Sequence, residues 1–184
     1  NAFTGPIPTE IGRLTALTST LSFSDNALTG GVPTELGQLT GVKALYLMMN
    51  SLSGTIPTQI GLLSALETSL HLAAWSASWS FMNSKNSFSG TVPTQIGRLT
   101  ALKELELSGN PVSGSLPTQF YSMMALKTLN LVNARLTGVA VPSQLCRLTA
   151  LEQYEVSHNT LSGTIPTEIG RLTAMKKFWI YNHA

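Results

Sequence analysis

Residues 102–117 read LKELELSGNPVSGSLP, from Leu102 to Pro117. Leu105 and Leu107 alternate with Glu104 and Glu106, which is the period of a short strand with one apolar and one polar face. Asn110 follows where the chain must turn, and a carboxamide there can both donate to and accept from turn backbone. Gly114 marks a bend with little room for a Cβ, and Pro117 opens the next segment. A strand this short buries almost nothing by itself, so the stretch makes sense only if neighbours repeat it.

They do. The same proline recurs at Pro8, Pro33, Pro57, Pro93, Pro117, Pro142 and Pro166, with spacings of 25, 24, 36, 24, 25 and 24 residues. A fixed period of this length is the signature of coils that stack and share one continuous core. Leucine pairs recur at Leu45 and Leu47 and at Leu129 and Leu131, pointing into that core. Turn asparagines recur at Asn26, Asn50, Asn86, Asn110 and Asn159, which predicts a buried structural ladder. After each proline, stretches such as Thr9-Glu10-Ile11-Gly12-Arg13 predict a short helix capped by the threonine, with an acid–base pair three residues apart.

The unit L-x-x-L-x-L-x-x-N-x-L-S-G-x-I-P resembles the leucine-rich repeat, and its S/T-G-x-I/V/L-P segment resembles the plant-type subclass. The resemblance implies an α/β repeat solenoid: a right-handed coil with a parallel sheet on the concave face and short 3-10 or one-turn helices on the convex face. It covers nearly all of 1–184, read as a single domain of about seven coils. The repeat phase at Asn1 and at Ala184 leads to the expectation that the domain is truncated at both ends.

Composition narrows the function. Of the 184 residues, 43% are hydrophobic and 11% charged, which suits a packed domain and not a disordered chain. The net charge of +2, from 11 basic and 9 acidic residues spread along the chain, forms no basic stripe for nucleic acid. No apolar run approaches the roughly 18 residues of a membrane span, so no membrane insertion by this segment is expected. One cysteine, Cys146, leaves no disulfide framework, and no cofactor motif is present. Cys146 falls on the predicted convex segment while His71 and His158 fall on or beside strands, so thiol and imidazole cannot form a dyad. His158 and His183 stand one coil apart, a pairing too sparse to define a metal site. No catalytic residue is assigned.

What remains is recognition. Core leucines and turn asparagines repeat because every coil needs them, whereas the outward central strand residues agree in no two adjacent coils: Ser22, Tyr46, His71, Glu106, Asn130, Glu155 and Trp179. Resemblance to the family implies that this face meets a protein or peptide partner, with Met48 beside Tyr46. The second candidate is Ala73 to Lys85, where thirteen residues stand in place of two. Its aromatics Trp75, Trp79 and Phe81 either contact a partner, cover exposed core, or supply a substitute strand at Trp79-Ser80-Phe81. A different class, ice or surface binding, is open to the hydroxyl series Thr9, Thr34, Thr58, Thr94, Thr118, Ser143 and Thr167, which could match a regular lattice.

Overall fold

The computed structural model describes residues 3–74 and 86–181. In chain order its first elements are β1 (Thr4–Pro6), the 3-10 helix η1 (Thr9–Arg13), β2 (Thr20–Ser22), β3 (Ala27–Gly30), η2 (Thr34–Gln38), β4 (Ala44–Tyr46) and β5 (Ser51–Thr55). Then follow η3 (Thr58–Leu62), β6 (Ser69–His71), β7 (Ser87–Thr91), η4 (Thr94–Arg98), β8 (Glu104–Glu106), β9 (Val112–Ser113) and η5 (Thr118–Ser122). The last are β10 (Thr128–Asn130), β11 (Thr137–Val139), η6 (Ser143–Arg147), β12 (Gln153–Glu155), β13 (Thr160–Ser162), η7 (Thr167–Arg171) and β14 (Lys177–Trp179).

The strands stack in two parallel series. β2, β4, β6, β8, β10, β12 and β14 form one seven-stranded sheet. Behind the turns, β1, β3, β5, β7 and β9 form a second, and β11 with β13 a third. Between sheets and 3-10 helices lies one core, in which Leu45, Leu47, Leu105, Leu107 and Leu131 are fully enclosed. Each coil thus buries its leucines only against its neighbours, as the period requires.

The asparagine ladder stitches coil to coil. Asn110 Oδ1 accepts the Phe88 amide of the preceding coil at 3.0 Å, and Nδ2 donates to the Leu72 carbonyl at 2.9 Å. Asn50 does the same for Leu28 and Phe23, and Asn86 for Leu52 and Leu47. Asn26, at the start of the series, is half-buried and accepts from Phe3. One rung is missing: Ala134 stands where the asparagine would be. The Val112 amide turns back to the Asn110 carbonyl at 2.8 Å, and Asn159 takes two amides, Ala134 at 3.1 Å and Leu136 at 2.9 Å. There the second series breaks, and a lone bridge, Gly114 to Leu136, joins β9 to the next coil.

Several details differ from expectation. The threonines do not cap the helices: the cap position is the proline, extended at Pro57 with φ −67° and ψ 141°, and no side chain caps it. Thr58 Oγ1 instead donates to the adjacent Gln59 side chain at 3.1 Å, and Thr9 likewise meets Glu10 at 3.3 Å. Among the described residues Glu10 forms no ion pair with Arg13; the ion pairs run between coils, as Lys43 to Glu67 at 3.0 Å does. A 3-10 turn places residues three apart one above another, but Glu10 is drawn to its neighbouring hydroxyl. The regular path also extends into the stretch read as the insertion. Ala73 and Ala74 keep the regular path, both buried, with the Ala74 amide donating to the Ser108 carbonyl at 2.8 Å. Ser69–His71 is the strand of that coil, paired with β4 and β8, so Trp79-Ser80-Phe81 does not replace it. Trp75, Trp79 and Phe81 lie outside the described residues.

Candidate recognition face

The outward column read from the sequence is a single file in space. Register pairs Ser22 with Tyr46, Tyr46 with His71, His71 with Glu106, Glu106 with Asn130, Asn130 with Glu155, and Glu155 with Trp179. Seven strands in register bring together residues spread over most of the chain, because parallel coils keep the same phase.

The two halves of this file differ. In the first, Tyr46 and His71 meet edge to face with centroids 5.0 Å apart. Tyr46, Met48 and Met49 are half-buried. Met49 does not extend the strand at all; its φ of 57° makes it part of the turn. His71 Nε2 lies 3.5 Å from Glu104 Oε2 without a hydrogen bond, and that oxygen accepts the Ser69 hydroxyl at 2.7 Å. Burial pushes the His71 pKa below the usual histidine value, so the ring is neutral around pH 7.

In the second half the face sinks into a hollow of about 300 Å³, lined by Glu106, Asn130, Glu155, Lys177 and Trp179 among others. Glu106 is the more buried of the hollow's two carboxyl groups. Burial pushes its carboxyl up to about 7, against hydrogen bonds from Asn130 and Ser108 that favour the charged form. Burial also raises Glu155, opposed by Lys177 and His158. Trp179, 47% exposed, forms the outer wall, with the Lys177 ammonium 5.7 Å from its ring centroid. The hollow therefore offers two carboxyl groups, one ammonium, an amide and an aromatic surface to an incoming chain. Lys177 was legible beside Trp179; that Glu106 lies in a depression was not, since depth depends on side chains two strands away.

Cys146 is buried in η6 on the opposite side of the coil, its thiol pushed up by burial and by Glu168. His183 lies outside the described residues, and among the described residues no three His, Cys, Asp or Glu side chains group to hold a metal ion. Among them, too, no helix is long and apolar enough to cross a membrane.

Stacked parallel strands, an asparagine ladder and 3-10 returns define a leucine-rich-repeat solenoid. With its S/T-G-x-I/V/L-P second strand, the chain is a plant-type leucine-rich-repeat protein. The family described as Leucine Rich Repeat matches residues 101–123. No curated protein sequence matches the chain significantly. Among solved structures it is similar to the ectodomain of the Arabidopsis thaliana receptor kinase GASSHO1/SCHENGEN3, solved with CASPARIAN STRIP INTEGRITY FACTOR 2, at 31% identity and TM-score 0.84 over 100% of this chain and 20% of that one. It is similar to the Arabidopsis receptor kinase HAESA, solved with the peptide hormone IDA and the co-receptor SERK1, at 32% identity and TM-score 0.83 over 100% of this chain and 29% of that one. It is also similar to a plant ice-binding protein, at 25% identity and TM-score 0.74 over 98% of this chain and 61% of that one. The chain thus spans less than a third of the length of either receptor chain.

Proposed function

We propose that the protein is a non-enzymatic recognition module that binds a protein or peptide segment along the concave file, with its anchor in the Glu106–Trp179 hollow. One observation carries the reading: the file is in strict register, yet its chemistry changes at every coil, while the interior behind it repeats. A column that changes side chain by side chain suits a shaped, non-repeating partner. The similarity to ectodomains solved with peptide hormones supports the same class of partner. Within the hollow, two carboxyl groups, of which Glu106 is about half protonated at pH 7, favour a partner segment carrying a basic side chain that would draw off that proton, with Trp179 as an aromatic platform for it.

The test is capture from the source organism with the intact chain and with a Glu106→Gln, Glu155→Gln, Trp179→Ala variant of unchanged melting temperature. Loss of a captured partner by the variant supports the reading, and equal capture by both chains removes it.

A second reading has its own support. The exposed hydroxyls Thr9, Thr34, Thr58, Thr94, Thr118, Ser143 and Thr167 recur coil by coil on the convex side, and the fold is similar to that of a plant ice-binding protein. Against it, each hydroxyl already engages the side chain that follows it, which reduces its freedom to match water positions in a lattice. Thermal hysteresis abolished by Thr58→Ala, Thr94→Ala and Thr118→Ala together would establish this reading in place of the first.

A further inference from the structure

The coil that follows Pro117 departs from the repeat in three places. Ala134 replaces the ladder asparagine, one additional residue lies between Leu136 and Pro142, and Tyr121 replaces the convex glycine. The last has the largest effect. A Cβ added at Gly12 would stand 2.6 Å from the Glu35 carbonyl oxygen, and one at Gly37 would stand 2.7 Å from that of Gln59. Glycine is what lets one 3-10 helix lie against the next. With a phenol in that slot, η5 and η6 make much sparser contact than the pairs from η1 to η5.

A cleft of about 290 Å³ opens beside them, reaching from Thr118 and Val139 at its mouth to Leu131, Leu136 and Leu161 at its floor. Two phenols line it. The Tyr154 hydroxyl, where other coils place an inner leucine, donates to the Ala140 carbonyl at 2.5 Å. The Tyr121 hydroxyl has no hydrogen-bond partner among the described residues, although Tyr121 is only 6% exposed. Its ring is buried while its oxygen stays open to the cleft, where it is free to donate to a bound molecule. Burial pushes Tyr121 up to about 12, so at neutral pH it is a hydrogen-bond donor and not an anion.

We propose that this cleft is a binding site for a small, largely apolar molecule of about two fused rings bearing one carbonyl group, which accepts the free Tyr121 hydroxyl. The size follows from volume: the cleft is nearly double the roughly 150 Å³ of a dry cavity that accepts benzene. Apolar walls with one placed polar group are the usual make-up of a small-molecule site. The site lies away from the concave file and does not depend on its role.

Two probes of matching shape, acetylnaphthalene and ethylnaphthalene, test it by titration into the full chain with methyl resonances of Leu131, Leu136 and Leu161 observed by NMR. Both should shift these signals saturably. Tyr121→Phe should weaken acetylnaphthalene about two- to tenfold, the range for one lost hydrogen bond, and leave ethylnaphthalene unchanged. Val139→Phe, an exposed change at the mouth, should weaken both. Failure of either probe to saturate, as in a cleft that holds water alone, overturns the site. An unchanged acetylnaphthalene affinity in Tyr121→Phe, or unchanged affinities in Val139→Phe, also overturns it.

Discussion

Replacing Asn110 with Ala tests the structural logic where it is most exposed to failure. The side chain is fully buried, and its loss leaves the Phe88 amide of the preceding coil without its partner and the Leu72 carbonyl with only the longer of its two donors, Asn86 Nδ2 at 3.4 Å. A stranded group costs about 1–3 kcal/mol, so the amide and the weakened carbonyl together give about 1–6 kcal/mol if nothing moves. Something can move. At Ala134 the protein already lacks a rung, and the Val112 amide there closes on the Asn110 carbonyl of its own coil. A similar turn by Phe88 would recover one bond and bring the cost to about 1–3 kcal/mol. For a chain of this size that corresponds to a fall in melting temperature of about 2–12 °C. Thermal unfolding followed by circular dichroism reads it, with Asn26→Ala as the companion, since half-buried Asn26 should cost less. A melting temperature unchanged in Asn110→Ala, or a larger loss in Asn26→Ala, would refute the ladder as a source of stability.

Further outcomes follow from the same geometry. Because Glu106 titrates near 7 when folded and near 4.5 when unfolded, the folded state holds a proton that the unfolded state has released between these values. The Glu106 contribution to stability should therefore be greatest below pH 4.5, fall by up to about 3 kcal/mol as pH rises to about 7, and stay level above; Glu106→Gln should remove that component of the pH dependence in denaturant titrations. Gly97→Ala should destabilise by at least about 1 kcal/mol, because its Cβ would meet the Gln119 backbone, whereas Gly170→Ala meets open space and should be neutral or slightly stabilising in the same melting assay. Removing residues 75–85 joins Ala74 to Asn86 with the regular two-residue spacing. The shortened chain should keep its cooperative unfolding; loss of the fold would show that those residues cover core.

The sequence carried the coil because the coil is local arithmetic. Leu105 and Leu107 must share a face, and Asn110 must fall at the turn, whatever surrounds them. The register of Tyr46, His71, Glu106, Asn130, Glu155 and Trp179 was legible for the same reason, as equal phase in parallel coils sets equal height. Properties that arise between coils were not legible. The half-burial of Tyr46 and Met48 and the depth of Glu106 depend on side chains one or two strands away. Thr58 is a good cap by residue type, but Pro57 already holds the cap position and the hydroxyl finds Gln59. Tyr121 and Ala134 each look like a small deviation in the repeat; their joint effect, a cleft and a break in the second sheet, appears only when the coils are stacked.

The concave file is tested most directly by hydroxyl-radical footprinting of the captured complex against the free chain. Trp179 and Met48 lie on the concave side, while exposed Leu62 and Met124 lie at the 3-10 returns. The account predicts that oxidation of Trp179 and Met48 falls in the complex while that of Leu62 and Met124 does not change. Protection of Leu62 and Met124 with Trp179 still fully reactive would contradict it.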